Sequence, residues 1–234
     1  MNAEIKVLIL TALSIGAVHT LIGPDHYIPF IALSRARKWS YPRTLVITLI
    51  CGVGHVLSSV VIGIIGIATG IAISRIQGFE GLRGDIAAYL LLGFGLAYMT
   101  WGIRQAIKGQ THSHSHSHTD GTVHQHPHDH HQGHTHIHHR KNTTFWWLFV
   151  IFVLGPCEPL IPLLMVPAAR VDTGGLILVT LAFGLSTITA MGVMVSLAYF
   201  GLKQVRFHFM ERYAHALGGA IITLSGAGMI FLGL

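Results

Sequence analysis

Charge is scarce in this sequence. Only 10% of its 234 residues are Asp, Glu, Lys or Arg, against 51% hydrophobic, and the mean hydropathy is +0.59. Soluble domains carry roughly 25% charged residues, so an ordinary water-soluble globule is excluded. Cysteine is scarcer still. Cys51 and Cys157 are the only two, both lie in apolar stretches, and a disulfide framework is excluded with them. The opening Met-Asn-Ala-Glu-Ile-Lys has no basic run, and no small-residue cleavage site follows it. The first apolar segment is therefore expected to be retained as a transmembrane helix rather than removed as a signal peptide.

What the chain has in place of charge is a series of apolar runs of about 20 residues, each long enough for a ~30 Å hydrocarbon core. Six are read, over 4–23, 44–68, 86–107, 145–166, 175–202 and 213–234. The net charge of +6 does not call for nucleic acid, because the basic residues are distributed by side. Eleven of the fifteen fall in loops on one face: Arg35, Arg37, Lys38, Arg43, Arg104, Lys108, Arg140, Lys141, Lys203, Arg206 and Arg212. The other face has Lys6, Arg75, Arg83 and Arg170. The positive-inside rule then predicts a bacterial-type inner-membrane protein with both termini outside. The lipid bilayer is its expected surrounding, nucleic acid is not a partner, and homo-oligomerisation is left open.

Residues 112–139 hold thirteen of the eighteen histidines in a polar background. Such a stretch has almost nothing apolar to bury and is expected to be a disordered cytoplasmic loop. It divides the chain into a first membrane repeat (1–107), the His-rich loop (108–143) and a second repeat (144–234). Leu21-Ile-Gly-Pro-Asp25-His26-Tyr-Ile-Pro29 in the first matches Val153-Leu-Gly-Pro-Cys157-Glu158-Pro-Leu-Ile-Pro162 in the second. Three spans per half must sit in opposite orientations. The expected fold is thus an all-α membrane protein, six transmembrane helices in a 3+3 inverted repeat, with Gly-Pro-broken helices at matching places. Broken helices at matching positions of two repeats point to a binding site. Each proline frees backbone groups that lipid cannot satisfy.

The ionisable residues gather at these breaks. An Asp at a helix centre costs roughly 2.5–3.5 kcal/mol on insertion scales, so such groups usually have a task. His19 and His26 would lie ~10 Å apart along an unbroken helix, and the break at Gly23-Pro24 offers a way to fold them together. His55 sits among small residues in the second span, beside Ser58 and Ser59. Cys157 and Glu158 follow the second break, and Thr187, Thr189 and Met191 are candidates to line a path. Imidazole, carboxylate and thiolate together suit a divalent transition metal. The expected metal site is His19, Asp25, His26, His55, Cys157 and Glu158.

His19-x5-Asp25-His26 resembles the His-x4-Asp-His signature of nickel/cobalt transporters, with one extra residue in the spacer. Gly54-His55-Val-Leu-Ser58-Ser59-Val-Val is similar to a second segment of that family, and Leu154-Gly155-x-x-Glu158 loosely to a third. The whole looks like the efflux branch and the related urease-accessory membrane proteins of the LysE-like superfamily. The resemblance implies a transporter, not an enzyme, with Ni2+ or Co2+ as its substrate, Zn2+ also fitting the ligands, and export as the direction. An importer supplying a nickel enzyme is an alternative. Gly155-Pro-Cys157-Glu-Pro-Leu-Ile-Pro162 also resembles the Pro-Cys segment of the membrane thiol-electron carriers of cytochrome c maturation. Those carriers use one thiol per repeat, whereas the repeat partner of Cys157 is Asp25. Metal transport is therefore placed first, the thiol–disulfide carrier second and an intramembrane metalloenzyme last.

Overall fold

The computed structural model describes residues 3–108, 113–117, 123–127, 143–169, 172–203 and 210–233. The helices in chain order are α1 (Ala3–Ile22), α2 (Ile28–Ala36), α3 (Tyr41–Ala68), α4 (Ile73–Lys108), α5 (Thr143–Leu154), α6 (Leu160–Ala169), α7 (Thr173–Lys203) and α8 (Met210–Leu232). A single 3-10 turn, Pro24–His26, joins α1 to α2. The membrane body is all-helical, as the apolar runs require. Its outer surface is apolar too: Leu10, Leu181, Leu197 and Leu224 are all more than 60% exposed. Helices that are greasy all round, with such side chains turned outward, belong in lipid.

Among the described residues, five helices are long and apolar enough to cross a membrane: Ala3–Ile22, Tyr41–Ala68, Ile73–Ile107, Thr173–Leu202 and Arg212–Leu232. This corrects the expected count of six. The run expected to be one span over 145–166 is instead α5 and α6, of 12 and 10 residues, or about 18 and 15 Å long. Pro156 stands between them and Gly155 ends the first, so the apolar run is continuous in composition but not in helix. A second correction concerns α4, which begins at Ile73 and not near Ile86. Its first turns carry Glu80 and Arg83, which the composition of that stretch assigns to a loop.

In the His-rich stretch, Ser113–Ser117 and Val123–Pro127 pair as two antiparallel strands, with His114 opposite His126 and His116 opposite His124. The strict Ser-His alternation there has the two-residue period of a strand. The remainder of the loop lies outside the described residues.

Helix contacts follow a paired scheme. The helices α3 and α7 pack on each other, as do α4 and α8; α1 lies on α7 where α5 lies on α3, and α2 lies on α8 where α6 lies on α4. Two apolar clusters result. One gathers Phe30, Leu33, Cys51, Phe152, Met191 and Ile222. The other gathers Ala12, Val56, Cys157, Leu160, Leu164 and Phe183. His55 sits on α3 between Cys51 of the first and Val56 of the second. Without a hydrophobic driving force between helices in lipid, small residues set how closely they pack. On the α4–α8 seam, a Cβ added at Gly226 would lie 2.6 Å from the Leu92 backbone nitrogen, whereas one added at Gly93 meets nothing within 4 Å. Gly226→Leu is therefore expected to destabilise the protein by about 1–3 kcal/mol through overpacking, with Gly93→Leu close to neutral. Thermal midpoints of the purified variants in one detergent check this, and equal losses for both would refute the seam's role.

Candidate functional site

The first break is built from Gly23 and Pro24. Pro24 ends α1, and the chain turns through the 3-10 segment, with the His26 N–H donating to Gly23 O at 3.2 Å and the Tyr27 N–H to Pro24 O at 3.3 Å. This turn carries the His26 ring back towards α1. His19 and His26, two turns apart in an intact helix, now have ring centroids 4.8 Å apart, edge to face. His55 meets the other side of His26, centroid to centroid 5.0 Å. Gly23 is required here, because a Cβ on it would fall 2.7 Å from His26 Nδ1 and 2.9 Å from Asp25 Oδ1.

The second break supplies the thiol. After Gly155 and Pro156 the chain places Cys157, 0% exposed, beside the imidazoles. The donor atoms of His19, His55 and Cys157 all lie within 4.8 Å of one another. The outer ring nitrogens are held. Nδ1 of His55 is 3.2 Å from Phe152 O, and Nδ1 of His26 is 3.1 Å from both Gly23 O and Asp25 Oδ1. A ring whose Nδ1–H donates to a carbonyl or carboxylate presents its lone pair at Nε2. The Nε2 atoms of His19, His26 and His55 are all buried with no hydrogen-bond partner. Each such orphan costs about 1–3 kcal/mol. Three in one place mark a site whose chemistry is at Nε2. A cavity of about 20 Å3 adjoins it, bordered by Asp25, His26, His55 and Gly155, enough for about one water.

Of the six residues expected to form the site, His19, His26, His55 and Cys157 come together. Asp25 stands behind His26 as the acceptor for its Nδ1. Glu158 does not join them; it is exposed and faces the Gly81 side of α4. It follows Cys157 directly, and the break turns one side chain in and its neighbour out. Thr187 and Met191 are both fully buried on α7, Met191 against Gly52, while Thr189 lines a separate groove between α3 and α7 with Tyr41 and Leu45.

Two residues that sequence reasoning missed hold the second break in place. Arg83 and Glu80, one turn apart on α4, form an ion pair and are 6% and 0% exposed. Arg83 Nη2 donates to Val153 O at 2.7 Å, to Gly155 O at 3.4 Å and to Ser58 Oγ at 2.8 Å. Glu80 Oε2 accepts from Ser59 Oγ at 2.9 Å and from the Cys157 N–H at 3.3 Å. The guanidinium satisfies carbonyls that Pro156 strands at the end of α5, and the carboxylate satisfies the first free N–H beyond it. A signal was present in the sequence. Glu80 and Arg83 have i, i+3 spacing amid Gly78, Gly81 and Gly84, which is a helix face that can approach another closely.

The family of cytochrome C biogenesis protein transmembrane regions matches residues 26–231. That span is most of the chain; it begins at His26, just past Gly23 and Pro24 of the first break, and contains the whole of the second. The chain belongs to this family. No curated protein and no solved structure matches it. The match overturns the resemblance to nickel/cobalt transporters. That resemblance rested on short motifs, one with a five-residue spacer in place of four, whereas the family match runs through both halves. A cytochrome c biogenesis membrane protein fits the thiol–disulfide electron carrier, the second of the sequence readings, better than metal transport. It also makes the chain an integral membrane protein, in agreement with its five apolar spanning helices.

Breaking the Glu80–Arg83 pair should be costly, because it leaves a buried charge without its partner. Glu80→Ala is expected to lower stability by about 3–5 kcal/mol, while Asp85→Ala, exposed on the same helix, should change little. Thermal unfolding in detergent, followed by the reactivity of the newly exposed cysteines, measures both. An Glu80→Ala protein as stable as the Asp85→Ala control would show that the second break does not depend on the pair.

Proposed function

We propose that the chain is a membrane electron carrier of the cytochrome c biogenesis type, with Cys157 as the sulfur that accepts and passes on reducing equivalents. The observation that carries this reading is the position of Cys157 at the second helix break, with imidazole nitrogens of His19 and His55 within 4.8 Å of the same donor cluster. Thiol–disulfide exchange needs a thiolate, and a neighbouring imidazole can accept the proton. In this reading the thiolate attacks an acceptor's disulfide, forming a mixed disulfide and releasing one acceptor thiolate. A donor dithiol then resolves the mixed disulfide, and the donor leaves oxidised as the acceptor leaves reduced.

The second sulfur does not come from Cys51. The Cys157 N–H donates to Ser59 Oγ at 3.2 Å, so Cys157 sits at the level of Ser59 on α3. Cys51 is eight residues away on that helix, about 12 Å along its axis, whereas bridged cysteines usually have Cα atoms 4.4–6.8 Å apart. The partner thiol therefore belongs to another protein or to a second copy of this chain.

The finer architecture follows from the same reading. Counting α5 and α6 together as one interrupted crossing makes six crossings in a 3+3 inverted repeat, a scheme supported by the paired helix contacts. The distribution of basic residues supports a topology with both termini outside and the His-rich stretch in the cytoplasm of a bacterial-type inner membrane. The chain acts as a carrier, not as an enzyme with a substrate of its own.

The test is electron transfer across a sealed membrane. Proteoliposomes with a dithiol outside and a disulfide-linked reporter inside should reduce the reporter with the wild-type chain and with Cys51→Ser. Cys157→Ser should fall to the rate of empty vesicles. Transfer at the wild-type rate by Cys157→Ser would end this reading.

A further inference from the structure

We infer that His19, His55 and Cys157, with His26 beside them, form a binding site for a thiophilic transition-metal ion of the Zn2+ or Cu+ class. Three independent observations converge. The donor atoms of His19, His55 and Cys157 lie within 4.8 Å of one another. A tetrahedral ion with bonds of ~2.0–2.3 Å holds its ligand atoms about 3.3–3.7 Å apart, so side-chain adjustments of about an ångström close the set. All three Nε2 atoms are buried and unpartnered, and His26 and His55 are each only 3% exposed.

The third observation is the treatment of the far ring nitrogens. Metal-ligating histidines almost always donate their other N–H to a carbonyl or carboxylate, which fixes the tautomer and aims the ring. His55 does so to Phe152 O, and His26 to Gly23 O and Asp25 Oδ1. Both glycines that precede the breaks serve this aim. A Cβ on Gly23 would crowd His26 Nδ1, and one on Gly155 would lie 3.2 Å from His55 Nδ1. One thiolate with two or three imidazoles suits Zn2+ or Cu+, whereas the harder Mg2+ and Ca2+ prefer oxygen ligands. Asp25 orients His26 and Glu158 points away, so the donor set is nitrogen and sulfur.

This inference goes beyond the electron-carrier reading and does not depend on it. The donor atoms converge whether or not Cys157 exchanges disulfides. A thiolate bound to metal is not free to attack a disulfide, so the metal-bound and exchange-competent forms are alternative states of one site.

Imidazoles of the His-rich stretch are potential ligands too, so total metal content cannot test the site. A thiolate–metal charge-transfer band can, because residues 112–139 contain no cysteine. The probe is Co2+, a coloured stand-in for Zn2+, supplied during expression so that burial does not bar its entry. Full-length protein purified in detergent is expected to show near-ultraviolet thiolate-to-Co2+ absorption equivalent to one sulfur per chain. Cys51→Ser should retain the band, Cys157→Ser should lose it, and His19→Ala and His55→Ala should each weaken binding at least tenfold. Absence of the band in wild type, or its survival in Cys157→Ser, would overturn the proposal. A second measurement needs no variant. Zn2+-loaded wild type should protect Cys157 from alkylation, read by peptide mass, relative to chelator-treated protein, and equal labelling would also overturn it. Neither readout involves electron transfer, so a failed metal site and a failed carrier are separate results.

Discussion

A helix interrupted inside a membrane must find partners for the backbone groups it frees, and most of this structure follows from how that is done twice. The first break largely satisfies itself. Its 3-10 turn closes three local bonds, Gly23 N–H to His19 O, His26 N–H to Gly23 O and Tyr27 N–H to Pro24 O. The second has a looser turn and takes its partners from α4, where Arg83 reaches the carbonyls of Val153 and Gly155 and Glu80 reaches the Cys157 N–H. A buried ion pair gains little net stability over apolar packing. Here it has another task, because the two charges satisfy opposite sides of one gap. That is why α4 stays helical through a charged stretch and why it lies against α6.

The two breaks are alike in position and different in chemistry. The first presents Asp25 and His26, the second Cys157 and Glu158, and the intervening α3 sends His55 between them. The turn at Pro24 brings His26 towards His19, which an unbroken helix would forbid. The anchor on α4 fixes the Cys157 backbone at the level of Ser59, one turn beyond His55. Each imidazole and the thiol thus reaches the centre from a different element. His19 and His55 stand on packed helices, and the two turns that carry His26 and Cys157 are pinned by hydrogen bonds at the breaks.

Much of this was legible in the sequence, and the misses have specific causes. Apolar run length gives the spanning helices, and the paired Gly-Pro motifs give both breaks, since proline's missing N–H acts wherever it occurs. Convergence of His19 and His26 follows from the first break. Run length alone did not separate α5 from α6, because the apolar residues that end at Leu154 resume at Leu160 and only the five residues 155–159 lie between them. It also placed Glu80 and Arg83 in a loop, because hydropathy averages charge over a window and cannot see two charges cancel across one helical turn. The orientation of Glu158 was illegible for a different reason. Irregular backbone at a break has no period, so adjacent residues there carry no rule for which one faces inward. The family came second rather than first in the sequence reading because short polar motifs favoured the other resemblance, whereas the family match runs through both halves.

The make-up of the site separates what thiol chemistry requires from what this chain provides. Activating a cysteine takes one base within reach. Here His19 and His55 converge with the sulfur, His26 stands against both rings, and each of the three leaves its Nε2 buried and unpartnered. In a low-dielectric interior an unpaired polar atom is expensive, and one base would have left at most one. A carrier that used paired thiols would also place its second sulfur opposite the first, but that position is held by Asp25, and Asp25 serves His26 rather than the centre. The chain therefore has one sulfur at the centre, Cys157 at the second break. It sets imidazoles beside that sulfur, and His55 and His26 are aimed by backbone carbonyls. The surplus of aimed lone pairs over what proton transfer needs is the physical reason to look for an electron-pair acceptor, a metal ion, among them.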